Sequence, residues 1–253
     1  MDYELKNKVA FVTGGSYGLG RGLCENLASE GANIAVNFRS SPGKAHDLVA
    51  HLESTFGVKA LAVKGDISLE DDVLRIFDEI TKHFGGLDIL VNNAGVCPQS
   101  PIRDMSLEMW RQTMNVNLDG IFMTSRAMVN WLCLQKQPGR IINITSQAAF
   151  NGSATGKSAY ASSKGGVSSF TISLAREVAE FGINVNAVAP GMMLTDMTRE
   201  ILEKDADRYA ATIPLKRVAD VDEVARVVSF LASRGGDYIT GTTVHVSGGM
   251  CMR

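Results

Sequence analysis

The sequence predicts a single doubly wound α/β domain over residues 1–253, in which a parallel sheet of about seven strands carries helices on both faces. Three observations lead to this fold class. Seven short apolar runs rich in Val and Ile have the composition of buried strands, segments of helical period separate them, and several of those segments end on glycine. Strands that alternate with helices form right-handed βαβ units and one parallel sheet.

The predicted elements follow one another without a linker, repeat or low-complexity segment. The strands are KVAFVT (8–13), NIAVNF (33–38), KALAVKG (59–65), DILVNN (88–93), RIINIT (140–145), INVNAVA (183–189) and TTVHVS (242–247). Between them, runs such as LGRGLCENLASEG and DVLRIFDEITKHFG have the helical period. Gly31, Gly85 and Gly182 stand where a helix prefers a left-handed cap, so the helices are expected to end there.

One segment is too long for a simple connection. It runs from Pro190 to about Ile213, between the sixth predicted strand and a helix near 221–232. Ligands bind at the carboxyl ends of strands in such sheets, and long excursions are often lids. We therefore expect a substrate lid around 190–215, with an extra packed helical pair as the alternative.

Composition and charge narrow the classes of function. A hydrophobic content of 45% with 21% charged residues is ordinary for a globular protein, and a net charge of −2 gives no electrostatic reason to expect nucleic acid or an anionic membrane as a partner. No apolar stretch has the length of a membrane span, and the N-terminus has no signal-peptide pattern. We expect a cytoplasmic protein with reduced cysteines. Its four cysteines and four histidines are scattered, so no metal site is predicted from them, although an oxygen-liganded ion stays open.

A glycine-rich turn follows the first predicted strand. In VTGGSYGLGRG (12–22), glycine lets backbone N–H groups approach a phosphate without a Cβ in the way, and the following helix N-terminus adds donors and a dipole. The spacing differs from G-x-G-x-x-G. The turn indicates a nucleotide site, although a methyltransferase carries a similar turn and packing alone is a second explanation for the glycines.

Tyr160 and Lys164 stand four residues apart in SAYASSKGG, which places both on one face of a helix. A phenol with a pKa of about 10 is a poor acid–base catalyst at neutral pH, and a neighbouring ammonium lowers that pKa. Ser146, Asp66 and NNAG (92–95) make a functional role for the pair more convincing, because each follows a predicted strand. The carboxyl ends of parallel strands share the edge of the sheet where ligands bind.

Taken together, the motifs resemble the short-chain dehydrogenase/reductase family. They are T-G-x-x-x-G-x-G (13–20), Asp66, NNAG, the Asn of NVNLDG, the Ser after the fifth strand, Y-x-x-x-K, and P-G followed by Thr. The similarity runs from Lys6 to the C-terminus. The ending YITGTTVHVSGGMCM most resembles the branch of 3-oxoacyl-(acyl-carrier-protein) reductases and bacterial glucose and other alcohol dehydrogenases. The resemblance implies a Rossmann-type fold and an NAD(P)-dependent oxidoreductase.

The resemblance also implies how the catalytic roles are divided. Tyr160 would donate a proton to a carbonyl oxygen in reduction, or accept one in oxidation. Lys164 would lower the pKa of Tyr160 and bind the nicotinamide ribose. Ser146 would orient the carbonyl, with Thr145 as the alternative, because Ser146 stands one residue farther from Tyr160 than the family spacing.

An asparagine completes the catalytic set that the resemblance implies. Asn117 would hold a water that connects Lys164 to solvent as a proton relay. Asn115 is the alternative two residues earlier, and Asn117 is preferred because it opens NLDG.

The end of the second strand bears on the choice of nicotinamide cofactor. An acidic residue there binds the ribose 2′-hydroxyl of NAD, whereas a basic residue accommodates the 2′-phosphate of NADP. Phe38 stands at the acidic position, and Arg39 follows with the hydroxyls of Ser40 and Ser41, a set that suits a phosphate. The sequence favours NADP(H). NAD(H) is the alternative, because Tyr17 stands where a second cation is expected in the glycine turn.

Further cofactor contacts are implied by the resemblance. Asn93 would support the backbone beside the cofactor, Asp66 and Ile67 would meet the adenine, and Thr195 would meet the carboxamide. The complete predicted cofactor set is Gly14, Ser16, Tyr17, Gly18, Leu19, Gly20, Arg39, Asp66, Ile67, Asn93, Ala94, Gly95, Tyr160, Lys164, Pro190, Gly191 and Thr195.

Substrate and assembly are expectations from the resemblance alone. The substrate would be a small carbonyl compound or alcohol, or an acyl thioester with acyl carrier protein as a candidate partner; a free ketone, sugar or hydroxysteroid is the alternative. Gln137 and Phe181 replace basic residues that would dock an acidic carrier. Helices near 107–135 and 159–181, with the C-terminal strand, would form a homotetramer. A nucleotide-sensing scaffold is the non-enzymatic alternative, but it has no need of a proton path.

Overall fold

In the computed structural model, which describes residues 3–195 and 198–252 (of 200–204 the backbone alone), seven parallel strands form one sheet. The strands are β1 Val9–Val12, β2 Asn33–Phe38, β3 Ala60–Lys64, β4 Ile89–Asn92, β5 Gly139–Ile144, β6 Ile183–Pro190 and β7 Thr243–Val246. Their order is β3-β2-β1-β4-β5-β6-β7. The direction of winding reverses between β1 and β4, and a crevice for ligands opens outside such a point.

Helices connect the strands as the alternation predicts. They are α1 Gly18–Ser29, α2 Pro42–Phe56, α3 Glu70–Phe84, α4 Leu107–Met114, α5 Gly120–Gln135, α6 Ala148–Asn151, α7 Ser158–Val178, α8 Arg199–Thr212 and α9 Val221–Ala232. A π-helical turn, Asn115–Asp119, joins α4 to α5, and short 3₁₀ turns cover Ala179–Phe181 and Arg234–Gly236. Gly85 and Gly182 cap their helices in the left-handed conformation.

Two apolar layers cover the two faces of the sheet. Ala10 and Val12 of β1 pack into one layer with α1, α2 and α9, whereas Val9 and Phe11 pack into the other with α3, α5 and α7. Successive residues of a strand point to opposite faces, so each strand contributes to both layers. The predicted doubly wound fold is confirmed. Among the described residues, no helix combines the length and the apolar character needed to cross a membrane.

The segment predicted as a substrate lid, around 190–215, follows the end of β6. Its described part contains α8, which has a non-helical backbone conformation at Asp205. Residues 196 and 197 of this segment lie outside the described residues. The lid therefore stays a prediction.

Candidate active site

A cavity of about 820 Å³ lies along the carboxyl edge of the sheet. This volume is in the range of small-molecule and cofactor sites, roughly 300–1,000 Å³. All predicted site residues line it except Asn117, which lies behind the wall. The lining members of the set are Gly14, Ser16, Tyr17, Gly18, Leu19, Gly20, Arg39, Asp66, Ile67, Asn93, Ala94, Gly95, Ser146, Tyr160, Lys164, Pro190, Gly191 and Thr195.

The glycine turn between β1 and α1 forms one wall of the cavity. Gly14 and Gly18 have positive φ angles of 59° and 54°, which glycine adopts without strain. A Cβ at Gly20 would lie 2.1 Å from the carbonyl oxygen of Gly14, so a side chain there would collide with the turn. The first turn of α1 carries no acidic side chain that would compete with an anion. The turn therefore fits a bound phosphate.

Two asparagines and a threonine hold this turn in place. Asn37 Oδ1 accepts a hydrogen bond from Gly14 N (3.1 Å), and Asn37 Nδ2 donates to the Gly65 carbonyl (3.0 Å). Asn93 Nδ2 donates to the carbonyls of Thr13 (3.0 Å) and Gly14 (3.2 Å), while Thr13 Oγ1 accepts from Asn93 N (2.9 Å). The predicted support of the cofactor-side backbone by Asn93 agrees with these contacts. Asn37 is not among the predicted site residues. A polar residue in an otherwise apolar strand could have indicated this role.

Arg39 and Asp66 face each other at the end of the cavity beside β2 and β3. Arg39 Nη1 lies 3.5 Å from Asp66 Oδ2, and the arginine side chain is 58% exposed. Burial by itself would raise the pKa of Asp66, but hydrogen bonds from the Ser68 hydroxyl (2.6 Å) and N–H (3.0 Å), together with the Arg39 charge, lower it. The guanidinium thus has one long contact and free donors toward the cavity.

Ser146, Tyr160 and Lys164 converge where β5 meets α7. Ser146 directly follows Thr145 at the end of β5, and its hydroxyl hydrogen-bonds the phenol of Tyr160. Ser146 Oγ also accepts from Ala148 N at 3.1 Å, which fixes its position. Thr145, the alternative to Ser146, is buried and donates to the Lys164 carbonyl (2.7 Å). Ser146 is therefore the hydroxyl that faces Tyr160.

The pKa of Tyr160 differs from the sequence-based expectation. Burial raises the pKa of Tyr160 to about 12, the hydrogen bond from Ser146 opposes this rise, and the thiol of Cys97 adds to it. Lys164 does not lower the pKa here, because its Nζ donates to the Ile144 carbonyl (2.7 Å) and lies 6.0 Å from the centroid of the Tyr160 ring. Burial lowers the pKa of Lys164 to about 8. Tyr160 is thus a neutral phenol beside an ammonium group.

Asn117 lies behind the cavity, in the π-helical turn. Its Oδ1 accepts from Val96 N (2.8 Å), and its Nδ2 donates to the Val96 carbonyl (2.9 Å) and to Ser163 Oγ (3.0 Å). These bonds use both amide hydrogens, so the side chain connects the segment after NNAG to α7 next to Lys164. The structure shows a positioning contact for this side chain, and the water relay stays a prediction. Asn115, the alternative, is exposed.

Comparisons with known proteins agree with this geometry. The family model described as enoyl-(acyl carrier protein) reductase matches residues 14–251. A 3-oxoacyl-[acyl-carrier-protein] reductase of Staphylococcus epidermidis is 39% identical over 246 residues, which cover 97% of this chain and 100% of that protein. A solved short-chain dehydrogenase from Burkholderia cenocepacia in complex with NADP has a TM-score of 0.89 and 33% identity, covering 96% of this chain and 98% of that one. The chain belongs to the short-chain dehydrogenase/reductase family.

A more identical relative supports the same assignment. The 3-oxoacyl-[acyl-carrier-protein] reductase of Vibrio cholerae is 42% identical over 249 residues, which cover 98% of this chain and 99% of that protein. As a short-chain dehydrogenase/reductase, the protein is an NAD(P)-dependent oxidoreductase.

The cavity of this short-chain dehydrogenase/reductase also has lining residues that the sequence did not single out. These residues include Cys97, Lys157, Arg208, Tyr209, Thr212 and Met250. They come from the loop after β4, the start of α7, α8 and the C-terminus, and no local spacing connects these segments. Their meeting is a consequence of the tertiary fold alone.

Proposed function

We propose that the protein is an NADP(H)-dependent carbonyl reductase that acts on a 3-oxoacyl compound. The observation that carries the proposal is the meeting of Ser146, Tyr160 and Lys164 at one end of a cavity whose other end holds the glycine turn and Arg39. This arrangement supports proton donation next to a site for a nicotinamide nucleotide. The alternative is reduction or oxidation of a free ketone, sugar or hydroxysteroid, and a nucleotide-sensing scaffold is a non-enzymatic alternative.

In this proposal Tyr160 is the proton donor. A bound nicotinamide would supply the hydride, and the protein supplies position, a proton and charge stabilisation. The Tyr160 hydroxyl donates its proton to the carbonyl oxygen, which becomes the alcohol oxygen, while the Ser146 hydroxyl hydrogen-bonds that oxygen. Because the pKa of Tyr160 is about 12, the phenol is protonated at neutral pH, the state that reduction needs.

In this scheme, Lys164 compensates the negative charge that proton transfer leaves on Tyr160. Its ammonium group is buried, four residues from Tyr160, and held by the Ile144 carbonyl. In this position its charge does not lower the pKa of Tyr160, so we infer that Nζ moves from the Ile144 carbonyl toward the phenol when substrate and cofactor bind, where it would stabilise the phenolate. Asn117 holds the adjacent Ser163 and Val96, so we infer that it positions Lys164 rather than contacting substrate.

Preference for NADP(H) is supported by two cations near the β2 end of the cavity. Arg39 lines the cavity with the hydroxyl-bearing Ser40 and Ser41. The second cation is Lys44, whose ammonium lies 5.4 Å from the ring centroid of Tyr17, the residue that occupies the expected position of a cation in the glycine turn. A 2′-phosphate is a dianion that such a set would stabilise. The solved short-chain dehydrogenase that binds NADP is consistent with this preference.

Docking of an acyl carrier protein has less support than reduction of a 3-oxoacyl group. The relatives from Staphylococcus epidermidis and Vibrio cholerae are named for a carrier-bound substrate. At the two positions where basic residues would dock a carrier, Gln137 donates to the Leu87 carbonyl (3.0 Å) and Phe181 is an exposed apolar side chain. We therefore propose a small 3-oxoacyl substrate, with a carrier protein as one source of it.

The assembly and surroundings of the protein are proposals of the same kind. Exposed apolar side chains on the outer faces of α5 and α7, Phe122, Leu134 and Ile172, support a homotetramer built on these helices. The four cysteines form no disulfide, which fits a cytoplasmic location. We also propose that one domain spans residues 1–253 and that the segment around 190–215 covers the substrate.

A substrate panel tests the proposed function. The protein is mixed with NADPH or NADH and with acetoacetyl thioesters, simple ketones, a keto sugar and a ketosteroid, and the absorbance of the reduced nicotinamide is followed. We expect consumption of NADPH with the acetoacetyl thioesters. Consumption with ketones, sugars or steroids alone would replace the 3-oxoacyl substrate, and no consumption with binding of NADPH would favour the scaffold.

A further inference from the structure

The substrate end of the cavity has an excess of positive charge. Among the described lining residues, the cations are Arg39, Lys157, Lys164 and Arg208, and the carboxylate is that of Asp66. Arg39 pairs with Asp66 at the nucleotide end, and Lys164 belongs to the proton-transfer set. Lys157 and Arg208 remain on the substrate side, where they would attract a substrate of opposite charge.

Lys157 is the better placed of these two cations. It is the N-cap residue of α7, three residues before Tyr160, and both residues line the cavity. It is half-buried, and no carboxylate among the described residues pairs with it. Arg208, by contrast, is largely exposed and lies 3.4 Å from Asp205 Oδ2.

Lys157 and Cys97 both line the cavity, and the charge of Lys157 acts on the Cys97 thiol. Burial raises the pKa of Cys97, and the charges of Lys157 and Lys164 oppose that rise. Cys97 lines the cavity beside Tyr160, whose pKa it affects in turn. Lys157 and Lys164 therefore both place positive charge near Cys97, in the cavity that Tyr160 lines.

The backbone around Lys157 is fixed from both sides. The Gly156 carbonyl accepts from Ser100 N at 2.8 Å, and the Lys157 carbonyl accepts from Ala161 N at 2.9 Å. Gly156 has a φ of 71°, and a Cβ there would lie 2.7 Å from the Ser100 carbonyl group. The backbone conformation at this point is therefore restricted. A fixed backbone limits the backbone entropy that this segment would lose when Lys157 binds a ligand.

We propose that the substrate carries an oxyanion, a carboxylate or a phosphate, and that Lys157 binds it and so selects acidic carbonyl compounds. This inference rests on the proposed function, because it places the carbonyl of the same substrate at Tyr160. A cavity-lining ammonium without a protein carboxylate is available to form a charge-assisted hydrogen bond with an anionic ligand. A 3-oxo acid supplies a carboxylate one carbon away from the carbonyl, and a phosphopantetheine thioester supplies a phosphate at the far end of its chain.

Two matched pairs of probes test the proposal. The first is acetoacetate against methyl acetoacetate, and the second is acetoacetyl-4′-phosphopantetheine against acetoacetyl-pantetheine, so one member of each pair carries an oxyanion that the other lacks. The kcat/KM ratio of the anionic to the neutral member is measured with NADPH. The proteins are the unmodified chain, Lys157→Met, Lys157→Arg and Lys59→Met. Lys59 is an exposed residue just before β3, at the opposite edge of the sheet, and its substitution makes the same change of charge.

We expect the unmodified protein to favour the anionic member of at least one pair by about 10- to 100-fold, the range for a hydrogen-bonded charge. Lys157→Met should bring that ratio close to one, Lys157→Arg should keep part of it, and Lys59→Met should leave it unchanged. Preference in the first pair identifies a carboxylate, and preference in the second identifies a phosphate. Equal turnover of both members by the unmodified protein, or a ratio that Lys157→Met does not change, overturns the proposal.

Binding separates this inference from the proposed function. Calorimetry measures the affinity of the NADPH-loaded protein for each probe, whether or not the probe is reduced. If anionic probes bind more tightly and Lys157→Met abolishes the difference, the anion site stands even when no probe is turned over, and the proposed function is then at fault. If anionic and neutral probes bind equally, the anion site is wrong regardless of turnover.

Discussion

At the scale of single residues, we expect Arg39 to determine the choice of cofactor. Its guanidinium has one long contact, 3.5 Å to Asp66, and is more than half exposed, so most of its donors face the cavity or solvent. The hydroxyls of Ser40 and Ser41 lie beside it, and Lys44 lies over Tyr17 nearby. These groups match a phosphate better than a ribose hydroxyl.

Arg39→Ala is therefore expected to weaken NADPH far more than NADH. Loss of a charge-assisted pair with the 2′-phosphate should raise the Kd for NADPH by about 10- to 100-fold, while the Kd for NADH changes little. Titration of the protein with each cofactor, followed by nicotinamide fluorescence, measures both constants. Arg226→Ala, which removes a similarly exposed arginine paired with Asp222 on α9, is the control. Equal weakening of both cofactors would remove the argument for NADP.

Among the secondary-structure elements, the π-helical turn between α4 and α5 connects two parts of the site. A π-turn inserts one residue into a helix and is frequent at functional sites. Here it turns Asn117 inward and leaves Asn115 exposed. The Asn117 side chain joins Val96, after β4, to Ser163 on α7, which is the residue before Lys164. The turn therefore fixes the distance between two walls of the cavity.

Asn117→Ala and Asn115→Ala form a matched pair that tests this role. Asn117→Ala should lower kcat by about 100-fold, because a small displacement of reacting groups has an effect of this size. It should also lower the free energy of unfolding by about 1–3 kcal/mol, since the partly buried Val96 N–H loses its acceptor. Steady-state kinetics and urea unfolding measure the two effects. Asn115→Ala should leave both values unchanged, and an Asn117→Ala variant with normal kcat would refute the positioning role.

Most elements of the fold could be predicted from the sequence, because apolar runs and glycine caps are local signals. The predicted strand 183–189 is β6 Ile183–Pro190, and the predicted strand 33–38 has the same bounds as β2. The glycine turn and the Tyr160–Lys164 pair also lie in continuous motifs. Lys157 and Arg208 could not be found in this way, since they meet across the cavity only after α7 and α8 have packed.

The pKa of Tyr160 shows a second limit of sequence reasoning. The spacing of Tyr160 and Lys164 places them on one helix face, but it does not show that the ammonium binds the Ile144 carbonyl instead of the phenol. Burial, which raises the pKa of Tyr160 to about 12, depends on every element around the cavity. Electrostatic properties of a site therefore need the complete fold, even where its residues are recognised in the sequence.

The buried ammonium of Lys164 affects the stability of the whole molecule. Burial lowers the pKa of Lys164 from 10.5 to about 8, so the unfolded chain binds this proton more tightly than the folded protein does. At neutral pH the group is charged in both states, and its burial lowers the free energy of unfolding by about 3 kcal/mol. As the pH rises from 8 to 10.5, the folded state has already released the proton, and this loss of stability diminishes.

Lys164→Met should therefore be more stable than the unmodified protein at pH 7, although it should be inactive. The lost hydrogen bond to Ile144 offsets part of the gain, so we expect a net increase of about 1–2 kcal/mol without cofactor. Urea unfolding at pH 7 and pH 9.5 measures it, and the difference should be smaller at pH 9.5. Lys59→Met should show no such difference. A less stable Lys164→Met variant at pH 7 would contradict this account of the buried charge.

The most direct test of the central claim is the rate of NADPH oxidation by Tyr160→Phe with an acetoacetyl thioester. Phenylalanine keeps the ring packed beside Lys164 and removes only the hydroxyl that we propose as the proton donor. We predict that kcat falls by about 10²- to 10⁴-fold, the contribution of a positioned general acid, while the affinity for NADPH is little changed. A Tyr160→Phe variant that binds NADPH and reduces the thioester at the normal rate would contradict the assignment of Tyr160 as the proton donor.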